Sequence, residues 1–269
     1  MENLYLVAVI LGIVEGLTEF LPVSSTGHMI LVGSLLGFEG DKAATFEVFI
    51  QLGAILAVLV LYRDRFLNLI LNLFADGIRF DDRGFNIWHV AIAMAPACVL
   101  GFLLHKPIKT YLFSDKTVVI GLIAGGILLL AANWIEPRRR VDDLDRINFR
   151  QALFVGLMQC LALWPGFSRS GATIAGGMLS GMTSAVAAEF SFIVAVPMMV
   201  AATGYDMLKS YQNLSVGDLP LFAIGFVVSF VVAWAAIVWF LKLLNRIGLA
   251  PFAYYRFVAA LLYFVVVIL

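Results

Sequence analysis

The chain has 269 residues, of which 62% are hydrophobic and only 13% charged, and its mean hydropathy is +0.98. That is too apolar for a soluble domain, and apolar runs of helical-span length recur from end to end, which excludes the short alternating segments of a β-barrel. With 18 basic and 18 acidic residues the net charge is zero, so nucleic acid is not implied as a partner.

Taken in order, residues 3–36 are apolar but interrupted by Pro22, two adjacent serines and several glycines. That favours a re-entrant pair of half-length helices over one clean span. The N-terminus lacks a basic stretch and a small-residue cleavage site, and reads as mature sequence rather than a signal peptide. Apolar runs at 46–62, 87–105 and 117–135 predict three spans. Residues 136–150 form an arginine-rich linker, and a second broken segment covers 151–180. Runs at 185–206, 219–242 and 251–269 predict three further spans. Cys98 and Cys160 each lie in an apolar segment, where buried thiols rather than a disulfide are expected.

The two broken segments match each other. Offset by 144 residues without a gap, positions 12–46 and 156–190 share eleven identities over 35 positions, among them Gly12/Gly156, Ser24/Ser168, Gly27/Gly171 and Gly33/Gly177. Shared membrane composition inflates such a count, but paired glycines and a paired serine inside a polar stretch favour a true repeat. The expected fold is an all-α polytopic membrane protein with a first repeat at 1–135 and a second at 151–269. Each half would be one re-entrant helix-loop-helix plus three transmembrane helices. Three is an odd number of spans, so the second copy would enter upside down, giving an inverted repeat whose half-helix N-termini meet near the midplane.

Charge predicts the orientation. Loops 63–86, 136–150 and 242–250 carry eleven cations: Arg63, Arg65, Arg79, Arg83, Arg138, Arg139, Arg140, Arg146, Arg150, Lys242 and Arg246. The opposite loops carry five, Lys42, Lys106, Lys109, Lys116 and Lys209. The richer set belongs in the cytoplasm, which places both termini and the first broken segment on the outer face.

That first segment holds Glu15 to His28, EGLTEFLPVSSTGH. A charge at membrane depth costs about 2.5–3.5 kcal/mol on insertion scales, so such a cluster needs an interior cavity. Glu15 and Glu19 are four apart and share a helix face, where two carboxylates repel unless a cation lies between them. A hard divalent ion would resolve the repulsion; the alternative is a pair of acids bonded to helix ends elsewhere. Pro22 ends the first half-helix, and Ser24, Ser25, Thr26 and Gly27 can start the next, whose free N–H groups form an anion site. For Ser24, capping and chemistry stand level. Ser25 and His28 lie within one turn, which allows a serine activated by histidine or a histidine that itself accepts a phosphoryl group.

The second segment supplies what the first lacks, in PGFSRSGAT at 165–173. At matching positions Ser25 becomes Arg169, Glu19 becomes Leu163 and His28 becomes Ala172. A guanidinium suits phosphate through paired hydrogen bonds; the alternative is a salt bridge to Glu15 or Glu19. Ser168, Ser170 and Thr173, with Gly166 and Gly171, form a hydroxyl-rich turn that could cradle phosphate oxygens. Glu47 and Gln51 could line the same cavity. Glu189 and Arg256 read as structural or interfacial, and no chemistry is expected of His89 or His105.

Together, EGLTEFLPVSSTGH and PGFSRSGAT closely resemble the motifs of the bacterial undecaprenyl-diphosphate phosphatases of the bacitracin-resistance (BacA) type, and the similarity runs over the whole chain. The resemblance implies an inner-membrane enzyme that removes the terminal phosphate of undecaprenyl diphosphate, recycling the carrier lipid for peptidoglycan and conferring bacitracin resistance. It further implies a site facing the periplasm, dependence on a divalent cation such as Mg²⁺ or Ca²⁺, a lipid substrate among membrane lipids, and a homodimer. The family's acidic motif maps onto Glu15 and Glu19, its serine-histidine motif onto Ser24, Ser25 and His28, and its arginine motif onto Ser168, Arg169, Ser170 and Thr173. The roles expected are catalysis by Ser25, His28, Glu19 and Arg169, metal binding by Glu15 and Glu19, and phosphate binding by Arg169 with the hydroxyls, Thr26 included. One alternative is a flippase or transporter of a phosphorylated polyprenyl lipid, because inverted repeats with midplane half-helices are a transporter design. The type-2 phosphatidic-acid phosphatases, whose SR motif is followed by a later His and Asp, are set aside, because SGATIAGG follows Arg169.

Overall fold

The computed structural model describes residues 2–75, 80, 84–112, 114–135, 140–210 and 216–269. Arg79, Arg83, Arg138 and Arg139, four of the cations in the orientation count, lie outside the described residues. Twelve α-helices occur among those described: α1 (Glu2–Thr18), α2 (Ser25–Leu36), α3 (Asp41–Leu61), α4 (Arg63–Ala75), α5 (Ile87–Leu103), α6 (His105–Tyr111), α7 (Asp115–Trp134), α8 (Phe149–Gln159), α9 (Arg169–Leu179), α10 (Ser184–Ser210), α11 (Leu219–Ile247) and α12 (Ala250–Tyr263). A single isolated bridge, Val141 to Met182, is the one β contact among them. The protein is an all-α, multi-pass membrane protein: α3, α7, α10, α11 and α12 with its extension to Ile268 are long and apolar enough to cross a bilayer.

Two expectations about length needed revision. The run at 87–105 stops at Leu103 after 17 residues, and the chain turns into α6. Pro107 has no N–H to offer the Leu103 carbonyl, which removes one bond of a continuous helix at that point. Residues 63–86, read as a loop, begin with α4. Its Phe66, Leu69 and Leu73 recur at three- and four-residue spacing on its more buried face, with Asn68 and Asn72 exposed.

Contacts sort the helix ends into two groups. At one end Arg65 bonds Asp145 at 3.0 Å, Val141 N–H donates to Gly181 O at 2.7 Å, and Leu249 N–H donates to the Asn133 side chain at 2.9 Å. At the other, Lys42 pairs with Asp218, and Tyr263 donates to Asp115 at 2.9 Å. The α1–α2 hairpin returns to the second group, where Phe38 meets Phe46 beside Val7 and Ala8. The α8–α9 hairpin returns to the first, closed by Gln151 Nε2 donating to Ser180 O at 3.0 Å.

Small residues let the hairpins lie close against their neighbours. A Cβ on Gly12 would come within 2.8 Å of the Gly225 carbonyl oxygen on α11, and one on Gly156 within 2.7 Å of the Ala93 carbonyl oxygen on α5. Gly12 and Gly156 are paired in the sequence match, so corresponding positions seat α1 on α11 and α8 on α5. Across the middle, α3 packs on α10 and α7 on α12. Cys98 and Cys160 depart from the expected burial: both thiols are free, Cys98 is exposed and Cys160 only partly buried. The apolar surroundings of a membrane helix include lipid as well as core, so hydropathy alone does not bury a thiol.

Candidate active site

Two backbone positions define the site. Ser24 (φ 74°) and Ser168 (φ 76°) are the only non-glycine residues with positive φ among those described. Such a conformation costs of order 1–3 kcal/mol and persists where surrounding structure imposes it, often at functional sites. Each serine caps the following helix: Ser24 Oγ accepts from Gly27 N–H at 3.4 Å and starts α2, and Ser168 Oγ accepts from Gly171 N–H at 3.1 Å and starts α9. The first turn of each helix therefore presents backbone donors, with the positive dipole end behind them.

Between the turns lies a cavity of about 210 Å³ lined by Glu19, Ser24, Ser25, Thr26, Ser168 and Arg169, with Gln51, Trp164 and Met199 among its other walls. A second cavity of about 370 Å³ shares Ser25, Thr26 and Gln51 with it and adds Glu15, Glu47 and Asp206. Glu19 joins the two halves of the chain. Its Oε1 accepts from Arg169 Nη2 at 2.9 Å, and its Oε2 accepts from the Ser25 hydroxyl. Arg169 also lies 5.5 Å from the Phe20 ring centroid, which favours the cation in a dry setting. The salt bridge weighed for Arg169 is thus made with Glu19, in a position where phosphate oxygens would compete for the guanidinium.

The expected contact of Ser25 with His28 is not formed. His28 Nδ1 lies 2.8 Å from Ser24 O and Nε2 2.7 Å from Tyr255 Oη, with the two rings stacked 5.5 Å apart. A carbonyl can only accept, so Nδ1 carries the proton and Nε2 accepts from the tyrosine hydroxyl. Both ring nitrogens are committed, and the ring holds the strained Ser24 backbone while Glu19 faces the Ser25 hydroxyl. Ser170 and Thr173 likewise line neither cavity. Ser170 Oγ donates to Leu21 O at 2.8 Å, tying the second turn to the first, and Thr173 Oγ1 bonds Arg169 O at 2.9 Å and Ser191 Oγ at 2.6 Å.

Arg256, read as structural or interfacial, is structural. It is fully buried in α12 and donates to four carbonyls: Gly166 at 2.8 Å, Leu122 at 3.0 Å, Gly121 at 3.1 Å and Pro22 at 3.3 Å. Pro22 belongs to the first turn and Gly166 to the second, so one guanidinium fastens both. Tyr255, which was not singled out, sits beside it. The signal available was Tyr-Tyr-Arg inside an otherwise apolar helix.

Glu15 is buried, and its Oε1 has no hydrogen-bond partner. Its charged neighbours are Glu19, Glu47 and Arg169. An unpartnered buried carboxylate oxygen beside further acids is unfavourable alone and suits a hard cation. No group of three acidic, histidine or cysteine side chains forms a metal cage among the described residues. A Mg²⁺-like ion, however, is commonly held by one or two carboxylates plus substrate phosphate oxygens, and Glu15 with Glu47 and Gln51 fits that mode.

The family model described as "Bacitracin resistance protein BacA" matches residues 8–262. The chain belongs to the BacA family. Among its relatives, "Undecaprenyl-diphosphatase 1" of Bacillus thuringiensis (strain Al Hakam) is 55% identical over 264 residues, covering 98% of each chain. The protein of the same name from Bacillus anthracis is 56% identical over 262 residues, covering 97% of this chain and 98% of that one. The BacA match takes in both turns, Glu15, Glu19 and Glu47, and Tyr255 and Arg256 near its C-terminal end.

Proposed function

We propose that this BacA protein is a membrane phosphatase that hydrolyses undecaprenyl diphosphate to undecaprenyl phosphate and phosphate, returning the carrier lipid to peptidoglycan synthesis and countering bacitracin. The observation that carries the reading is Glu19 held between the Ser25 hydroxyl and Arg169, in a cavity faced by two helix starts. The relatives' name, undecaprenyl-diphosphatase, supports the same substrate. The terminal phosphate enters the cavity, and Arg169 exchanges part of its bonding from Glu19 to the phosphate oxygens. The first N–H groups of α2 and α9, with Ser24, Thr26 and Ser168, take the remainder. Glu19 accepts the Ser25 proton as Ser25 Oγ attacks the terminal phosphorus in line, and undecaprenyl phosphate leaves. Glu19 gives that proton to the departing phosphate ester; it then takes a proton from the water that attacks the phosphoserine phosphorus and passes it to Ser25 Oγ as the P–O bond breaks and phosphate is released. Little covalent assistance is required, because positioning and charge neutralisation carry most of phosphoryl transfer. A divalent cation held by Glu15 with its neighbouring acids would supply further neutralisation of phosphate charge.

The proposal extends to an inverted repeat, supported by the matched capping serines, by the matched glycines seating α1 and α8, and by hairpins that return to opposite ends. It also extends to the inner membrane with the site open to the periplasm, supported by the excess of cations on the Arg65–Asp145 side. A homodimer is implied by the family resemblance alone.

Ser25→Ala is expected to lower turnover at least about a thousandfold, the size of effect seen when an activated nucleophile is removed. Phosphate release from purified protein measures it, and near-full turnover would replace the serine by a directly attacking water. Glu15→Gln should raise the Mg²⁺ or Ca²⁺ concentration giving half-maximal rate by about tenfold or more, read from a metal titration. An unchanged midpoint would move the metal away from Glu15.

A further inference from the structure

Beside the polar cavities lies a larger apolar one of about 800 Å³ between α5 and α10. Ala97, Cys98 and Gly101 form its α5 wall, and Met198, Ala201 and Tyr205 its α10 wall. It is continuous with the site at two residues: Ala202 also lines the Arg169 cavity, and Leu163 also lines the Glu15 cavity. Small residues keep the gap open. A Cβ on Gly101 would meet only the tip of Leu163, at 3.3 Å. At one end Lys106 and Pro107 of α6 border it, and Cys98 on its wall is exposed, so it opens sideways toward the bilayer.

We propose that this groove seats the isoprene units of the substrate's polyprenyl tail, and that Ala201 and Gly101 set its fit. The inference rests on the phosphatase reading. A diphosphate fixed on Arg169 leaves its first carbons beside Ala202 and Leu163, at the mouth of the groove. Tethering through the headgroup makes seating the tail an intramolecular step. Ordinary acyl chains lack that anchor. The tail therefore adds packing contacts to binding without entering the polar cavity, and chain length is read outside the reacting centre.

The test compares purified full-length protein with Ala201→Phe and Gly101→Leu, using undecaprenyl diphosphate and the five-carbon isopentenyl diphosphate. Filling the groove should lower kcat/KM for the long lipid at least tenfold, mainly through KM, and leave the short substrate within twofold. Equal values for wild type and variants on the long lipid would overturn the proposal. A second readout does not depend on how the variants fold. In Cys160→Ser protein, Cys98 is the sole thiol, and undecaprenyl phosphate should slow its reaction with an apolar maleimide at least fivefold. Isopentenyl phosphate, or the same amount of phospholipid, should not. No protection, or equal protection by phospholipid, would overturn the groove assignment. If wild type releases no phosphate from either substrate, the phosphatase reading fails, and Cys98 protection still reports whether the tail occupies the groove.

Discussion

Arg169→Ala is expected to reduce kcat/KM for undecaprenyl diphosphate by about a thousandfold or more, the range found when a guanidinium that neutralises phosphoryl-transfer charge is removed. Arg169 is the one cation lining the cavity among the described residues, and it is nearly buried, with 15% of its side chain exposed. The same substitution strands Glu19, whose side chain is 6% exposed, without its charge partner. Breaking a buried pair in this way costs about 3–5 kcal/mol, so thermal unfolding in detergent must be read beside activity. Arg169→Lys separates the two effects. It keeps a charge for Glu19 and recovers much of the stability, but it lacks the planar fork that grips two phosphate oxygens, so turnover should stay at least tenfold low. A lysine variant with wild-type turnover would show that charge alone suffices.

Arg256→Leu should produce the largest loss of stability. Four carbonyls would lose their partner inside a membrane protein, where no bulk water replaces it, and each such group costs about 1–3 kcal/mol. Because two of those carbonyls belong to Pro22 and Gly166, the loss reaches the relative position of the capping serines as well as α12. Arg256→Lys, with three donors, should recover part of the unfolding temperature. An Arg256→Leu protein that unfolds at the wild-type temperature would mean that the two turns are held by other contacts, such as Ser170 to Leu21.

Much of this was legible locally. Apolar run lengths announced the helices, and the pairing of Ser24 with Ser168 in the sequence foreshadowed a shared and uncommon backbone conformation. The polar residues of the two turns marked the cavity, because ionisable groups at membrane depth have few other uses. What escaped was long-range. His28 finds Tyr255 across 227 positions, and Arg256 finds Pro22 across 234, contacts that no helical spacing encodes. Thr173 is a different case. Its bond to Arg169 O, four residues back, is the ordinary habit of a threonine inside a helix and could have been weighed against phosphate binding. The apolar groove was illegible for a plainer reason: Ala97, Gly101 and Ala201 look like packing residues until α5 and α10 are seen to stand apart.

Release of the terminal phosphate from undecaprenyl diphosphate, labelled at that position, by purified wild-type protein and by Glu19→Gln is the most direct test. The account predicts one labelled phosphate per lipid from the wild type and a loss of at least a thousandfold in the variant, which keeps a group of the same size but cannot take the Ser25 proton. A wild-type protein that binds the lipid and leaves its diphosphate intact would contradict the account and point to a carrier of the lipid.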